Sequence, residues 1–535
     1  MHIKKIIIEG FKTFNKFELE LNEQLNIIVG DNETGKTTLI EAINLVLSCQ
    51  LDGRNIMYGL NPYIFNSNMV KKYFNALKNG EHPSPPNILI EAYDDQSSEL
   101  SKLRGTNNSK GENCPGLYLK VELNEDYADN FLQYTHANDN PDIMPVEYYK
   151  VVWRNFGDNP VTTTNNLPFS SKIIDTSLIR GYMSPNKYLS RIISDVLKDD
   201  QRVLLATAYR KLKHLFMNED SIKTINDHLA TMKGDVTDKK LTVSMDMSSR
   251  STWDSSITAH LNDIPFDSVG KGEQCRVQMK LAIEAAGDSN VLLIEEPENH
   301  LSHSNMSRLI EEITQRGAGR QIVLTTHSNF VLNKLGINNL KLLSPSGDTT
   351  SLADLLPDTK DYFVKLPGYD TLRLILSAKT ILVEGPSDEL IVQKAYRKKH
   401  GILPLEDGVD VISVGMSFKR FLEIGKLLNL NIRVVTDNDG NVKALKDKYK
   451  DYLGENKVKN IKICYDTDEK YPTLEPQLLK VNSLKVLNTV LNKTFKVPDE
   501  LLSYMEKNKT DCALKVFNSV KDLDFPDYIN NAIEW

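Results

Sequence analysis

The 535-residue sequence predicts an α/β fold in two successive parts. A glycine-bearing loop, Gly30–Thr37, fits GxxxxGK[ST] and stands between a strand pattern and a helix pattern. Val291–Ile294 and Gln321–Leu324 are continuous apolar runs, as a parallel sheet buried on both faces requires. A second strand–helix alternation begins at Thr380–Val383 and continues through Asp410–Ser413 and Arg433–Thr436. One hydrophobic core does not grow to this chain length, so about two to four domains are expected.

Taken in order, Ile3–Glu9 is apolar and β-branched, Phe17–Leu21 alternates, and Leu25–Val29 is a short buried-type strand. Thr37–Ser48 places Leu39, Ala42, Ile43, Val46 and Leu47 on one helical face. Residues 1–150 form the first α/β segment. Residues 151–238 are mainly helical, above all Pro185–Met232, but hold no sustained heptads, which excludes a long coiled coil. Strand patterns resume at Leu241–Met245, and 239–345 completes the first part. Residues 346–377, with their Pro, Gly, Ser and Asp, read as a linker with a short helix, and 378–535 as the second α/β unit.

Composition bounds the rest. Apolar residues at 40% and charged ones at 26% describe a globular protein. No apolar run approaches the ~20 residues of a membrane span, and the opening strand turns polar at Glu9, unlike a signal peptide. Five scattered cysteines without a CxxC exclude a disulfide framework and a zinc ribbon. A cytoplasmic protein without membrane contact is expected. The net charge of −7 hides an asymmetry, since 25 Lys/Arg against 24 Asp/Glu from Ala378 onward give that part about +1. Basic clusters at Lys394–Lys399 and Lys443–Lys462 fit either a solvated face or a phosphate-facing one.

The Gly30–Thr37 loop opens a helix, so its backbone N–H groups can face phosphates at a helix N-terminus. Lys36 adds a point charge for the β- and γ-phosphates of ATP, and the Thr37 hydroxyl suits Mg2+. Asn32, Gly35 and Thr38 complete the expected nucleotide contacts. The strand Val291–Ile294 delivers Glu295 and Glu296 to a sheet edge: Glu295 to hold Mg2+, Glu296 to polarise the attacking water. Thr325-Thr326-His327-Ser328 follows the next strand, where His327 can sense a γ-phosphate.

These strings resemble the ABC-type ATPases of the SMC/RecF group. Gly270-Lys271-Gly272-Glu273-Gln274 stands where that group carries its signature, without the usual serine. The resemblance implies that Gly272 meets the γ-phosphate of ATP held by a second subunit. It makes 1–150 and 239–345 the two halves of an ATPase domain, and the modest helical insert a dimerisation element in place of a long coiled coil.

In the second part, Ile381–Asp388 is a strand ending in Glu384-Gly385, and Ile432–Gly440 a strand ending in Asp437-Asn438-Asp439. As parallel neighbours they would bring Glu384, Asp437 and Asp439 to one edge. Converging carboxylates repel unless divalent cations neutralise them, and oxygen-only ligands favour Mg2+ or Mn2+.

This constellation resembles a Toprim domain. An ABC ATPase followed by Toprim resembles the OLD-family endonucleases, which include the nuclease subunit of the Gabija defence system and effectors of some retrons. Glu295–Leu301 and Leu382–Asp388 are strong family strings. The resemblance implies Asp388 as a further metal ligand, Glu475 as a downstream carboxylate, and Lys509 as a lysine near the metals. It implies a DNA endonuclease under ATP control, active against phage as a homodimer or homotetramer. Its members work alone, with a UvrD-like helicase, or with a retron reverse transcriptase and its RNA-linked DNA. The alternative is a RecF- or SMC-like DNA-binding ATPase without nuclease activity. A priming enzyme lacks support because there is no zinc ribbon, and a topoisomerase because no winged-helix segment carries a nucleophilic tyrosine.

Overall fold

In the computed structural model, residues 2–535 are described apart from 52–53, 95–97, 138–142, 165–166, 168–169, 176–192, 194–196, 232–240, 247–252, 254–257, 286–288, 300–301, 317–318, 345–348, 353 and 367–369. Two compact units emerge, Met1–Asn26 with Gly35–Thr326, and Ile27–Thr34 with His327–Trp535.

The first unit opens with an antiparallel meander. Strands β1 (Ile3–Phe11) and β2 (Phe14–Glu20) pair with register Ile6↔Leu19 and Ile8↔Phe17. Alternation along β2 buries Phe14, Phe17 and Leu19 and leaves Glu18 and Glu20 toward water. Strand β4 (Ile88–Asp94) lies on the other side of β1, followed by β5 (Cys114–Leu123) and β6 (Tyr149–Asn155); strand β3 is Leu25–Val29. Helix α1 (Lys36–Ser48) buries Leu39, Ile43 and Val46, and the Trp153 indole N–H donates to Val46 O at 2.8 Å.

A parallel ladder, β7 (Ser171–Asp175), β8 (Val291–Glu295) and β9 (Gln321–Thr325), aligns Ile174, Ile294 and Leu324. Every residue of β8 and β9 is buried, which explains their unbroken apolar pattern. Polar residues stand only at the ends of these two strands, and of them Gln321 is fully buried. Its Oε1 accepts from Ile3 N at 2.8 Å, and its Nε2 donates to Ile3 O and Asn22 O, both at 2.8 Å. One side-chain amide thus ties the meander to the parallel ladder.

Within 151–238, read as a mainly helical insert, helices α2 (Asp199–Met217) and α3 (Asp220–Thr231) form, but most of β6 and all of β7 also lie there, paired into the two sheets because their apolar residues complete those cores; much of the remainder lies outside the described residues. The strand expected at Leu241–Met245 does not form. Asn226 of α3 takes the backbone groups a partner strand would need, accepting from Val243 N at 2.6 Å and donating to Val243 O at 3.1 Å.

In the second unit β3 pairs in parallel with β10 (Leu340–Leu343), which pairs antiparallel with β11 (Thr349–Ser351). Where composition suggests a linker with one short helix, two helices pack: α7 (Pro357–Lys365) and α8 (Thr371–Leu376), after α6 (Asn329–Leu335); α4 (Lys271–Ala285) and α5 (His303–Arg316) belong to the first unit. The turn-forming residues of 346–377 hide a buried set on α7 and α8, Phe363, Leu372, Leu374 and Ile375. A four-stranded parallel sheet follows in the order β13-β12-β14-β15, comprising β12 (Lys379–Val383), β13 (Val409–Ser413), β14 (Asn431–Val435) and β15 (Ile461–Cys464). Register Leu382↔Val434 makes β12 and β14 neighbours.

Replacing Gln321 by Ala strands the buried Ile3 N–H and C=O. We expect a loss of about 1–3 kcal/mol in unfolding free energy, read as a lowered denaturant midpoint; an unchanged midpoint contradicts this role.

Candidate metal centre and nucleotide site

Residues after β12, β14 and β15 emerge at one edge of the parallel sheet, where open α/β sheets place their ligands. Glu384 directly follows β12, and its carbonyl accepts from Gly415 N at 3.0 Å. Helix α9 (Pro386–His400) starts after Gly385, and Asp388 returns one oxygen to Gly385 N at 3.0 Å, so it also serves the helix start. Asp437 and Asp439 flank a turn that Asn438 pins: its Nδ2 donates to the carbonyls of Asp466 and Asp468, both at 3.0 Å, and its Oδ1 accepts from Gly440 N at 2.8 Å. Asp439 takes a left-handed φ of 50° and is exposed, whereas Asp437 is half-buried on the inner side. Helix α11 (Val442–Lys448) follows that turn, and Glu475, in the first turn of α12 (Leu474–Val481), is buried and lies 3.5 Å from Lys509 Nζ, at the start of α13 (Lys509–Asn518).

Electrostatics binds these groups into one site. Asp437 is pushed up to about 8, first by burial and then by the Asp388, Glu384, Glu475 and Asp439 carboxylates. Asp388 is pushed up to about 6 by burial, against the lowering Gly385 N–H and with Glu384 and Glu475 raising it. Burial works against the Lys509 ammonium, but Glu475, Asp437 and Asp388 outweigh it and hold its pKa above the ordinary lysine value. Among the described residues no three His, Cys, Asp or Glu side chains stand as a ready-made metal cage. By chemistry the donor set, all carboxylate, fits a hard divalent cation such as Mg2+ or Mn2+.

Two acids escaped the sequence reading. Asp466 and Asp468 follow β15 in a second Asp-x-Asp, the same pattern as Asp437–Asp439, and Lys480 Nζ pairs with both at 3.1 and 3.4 Å.

In the first unit the phosphate loop turns into α1 through Gly35, whose φ of 99° and whose neighbours Thr13 Oγ1 and Phe14 Cζ, each 2.7 Å from any added Cβ, exclude a side chain. Lys36 and Thr38 are buried, and the Thr37 hydroxyl hydrogen-bonds the Glu295 carboxylate. Glu296 sits at a φ of 41°, its N–H donating to Thr325 O at 3.1 Å and its Oε2 accepting from Asn299 Nδ2 at 2.9 Å. Gly272 lies in the first turn of α4, whose Gln274 donates to Phe266 O and Val269 O at 2.6 and 2.9 Å. In the second unit Asn32 and His327 are exposed. His300 and Leu301 lie outside the described residues.

A phosphate loop with an acidic strand end, followed by a second parallel sheet with an acidic edge, is an ATPase domain joined to a Toprim domain. Residues 1–332 match the AAA ATPase domain family, to which the chain belongs, and residues 375–439 match the overcoming lysogenization defect protein-like TOPRIM domain, a combination that fits an OLD-family nuclease. Endonuclease GajA of Bacillus cereus (strain VD045) is 21% identical over 474 residues, covering 86% of this chain and 79% of that one. The DNA replication and repair protein RecF of Oceanobacillus iheyensis is 40% identical over 43 residues, 8% of this chain and 12% of that protein. Among solved structures, the recombination mediator protein RecF with ATP in the RecFOR pathway matches at 13% identity and a TM-score of 0.33, covering 65% of this chain and 98% of that one. No described helix is long and apolar enough to cross a membrane.

Asp388 and Asp437 are both raised above the ordinary carboxylate range. The folded chain therefore binds more protons than the unfolded one between about pH 4 and pH 8, and their contribution to stability falls as pH rises through that window. Cations favour the ionised forms, so Mg2+ should raise the melting temperature of this unit more at pH 8 than at pH 5, against chelator controls. An equal shift at both pH values contradicts the coupling.

Proposed function

We propose that the chain is an ATP-controlled, Mg2+- or Mn2+-dependent DNA endonuclease acting in antiphage defence. The observation that carries this reading is the convergence of Glu384, Asp388, Asp437 and Glu475, from separate elements, beside Lys509. Those four carboxylates, with Asp439 at the exposed rim, would hold the cations, which when bound supply an activated water and charge stabilisation for an in-line displacement. The Lys509 ammonium then faces the charge that builds on the scissile phosphate. Lys36, Asn32, Gly35 and Thr38 hold the ATP phosphates, Thr37 and Glu295 the nucleotide's Mg2+, and Glu296, steadied by Asn299, orients the water.

Gly272 and His327 would complete the γ-phosphate contacts across a dimer of chains. The insert supports dimerisation or tetramerisation: on α2, Leu204, Leu212 and Leu215 are 68%, 61% and 63% exposed along one face. Work with a UvrD-like helicase or a retron reverse transcriptase is supported by the family resemblance alone.

Nucleotide control has a packed route within the second unit. Ser328, next to His327, caps α6; Asn329 Oδ1 accepts from Leu372 N at 2.7 Å, and Thr371 Oγ1 donates to Asn333 Oδ1 at 2.9 Å. Arg373 of the same α8 donates to Asp410 of β13 at 3.1 and 2.5 Å. Helix α7 adds Leu356 N–H and Thr359 Oγ1 donating to Glu423 of α10 (Phe418–Leu427) at 2.5 and 2.6 Å.

The test incubates supercoiled plasmid with Mg2+ or Mn2+, with and without ATP. Asp437→Ala should lower cleavage about 100-fold or more and Lys36→Ala should abolish the nucleotide effect, with products bearing free 5′-phosphates. Wild-type cleavage by Asp437→Ala leaves only a DNA-binding ATPase. Asn329→Ala should keep cleavage but shrink the ATP effect about 5-fold or more; an undiminished effect removes this route.

A further inference from the structure

Tyr528 lies on the short helix α14 (Asp527–Ala532), which packs on β14, β15 and α9, and it is 5% exposed. It shares a buried cluster with Val435, Cys464, Leu474 and Ile391. Each of these stands one to three residues from an acid of the sheet edge: Asp437, Asp466, Glu475 and Asp388 respectively. Its hydroxyl has no hydrogen-bond partner among the described residues. Phenylalanine would fill the same space without burying a polar atom, so packing does not account for the hydroxyl.

A phenol keeps its proton at neutral pH, so the hydroxyl is an O–H donor toward the acids that flank this cluster, Asp437, Asp388, Asp466 and Glu475. Three of those acids already have a donor: Asp388 the Gly385 N–H at 3.0 Å, Asp466 the Lys480 ammonium at 3.1 Å, and Glu475 the Lys509 ammonium at 3.5 Å. Among the described residues Asp437 has no such side-chain partner and is the acceptor left over.

We infer that Tyr528 is a positioning residue for the metal centre, its O–H donating to the Asp437 carboxylate when that group is ionised and holds a cation. This rests on the proposed metal-binding role of the sheet edge. A ligating carboxylate whose spare lone pair is held by a fixed donor keeps one orientation, and such outer partners change metal affinity about 10–100-fold.

Mn2+ binding to the full chain, followed by electron paramagnetic resonance of the free ion below the melting transition, tests the assignment. Tyr528→Phe should weaken Mn2+ binding about 10-fold or more while leaving the melting temperature in chelator unchanged or higher. In an Asp437→Asn background the same substitution should cost nothing further. Wild-type Mn2+ affinity in Tyr528→Phe, or an equal loss in both backgrounds, overturns the inference while wild-type binding stands. A wild-type chain that binds no Mn2+ overturns the metal-centre reading and this inference with it.

Discussion

Like charges forced together at the end of a parallel sheet are the constraint on which the second unit depends. Glu384 and Asp437 follow neighbouring strands, so the same register that buries Ile381, Leu382 and Val434 also brings their carboxylates into one field. Burial and the neighbouring carboxylates raise Asp437 and Asp388 above the ordinary carboxylate range, and ammonium groups stand against the edge, Lys509 beside Glu475 and Lys480 beside Asp466. A sheet edge arranged this way favours any cation able to replace protons, which makes cation binding and stability one property.

Backbone pinning does the positioning. The Asn438 side chain and the Gly415 and Gly385 N–H groups each hold a loop by a hydrogen bond with main chain on at least one side, and the acids hang from these loops. The first unit uses the same device. Gly35 and Glu296 take left-handed backbone next to the residues that would meet phosphate, and local contacts to Thr325 and Asn299 sustain the turn at Glu296. Gln321 does for two sheets what the loops do for the sites, converting a buried polar group into a joint.

Within the second unit, the segment between His327 and the acidic sheet is packed. Helices α7 and α8 are gripped by Asn329, Asn333, Glu423 and Asp410, side chains that composition alone marks only as surface polar residues.

Strand and helix periodicity, the GxxxxGK[ST] loop and the acids after apolar strands are local patterns, and so β3, α1, β8, β9 and the β12–β14 pair could be read directly from residue order. Local order also names Glu384, Asp437 and Asp439 as candidates, because a strand ending in carboxylates is visible within ten residues, whereas Asp388 comes from the family resemblance alone. It could not separate Asp437, turned inward, from Asp439, turned outward, because that depends on one positive φ and on Asn438 reaching across to the β15 loop. Nor could it foresee the fate of Leu241–Met245 or of 346–377, where the hydrogen-bond partners come from distant side chains. Residue order determined which groups carry the chemistry; only tertiary packing decided which are buried, which are paired, and which face one another, since desolvation and charge proximity are properties of three-dimensional neighbours.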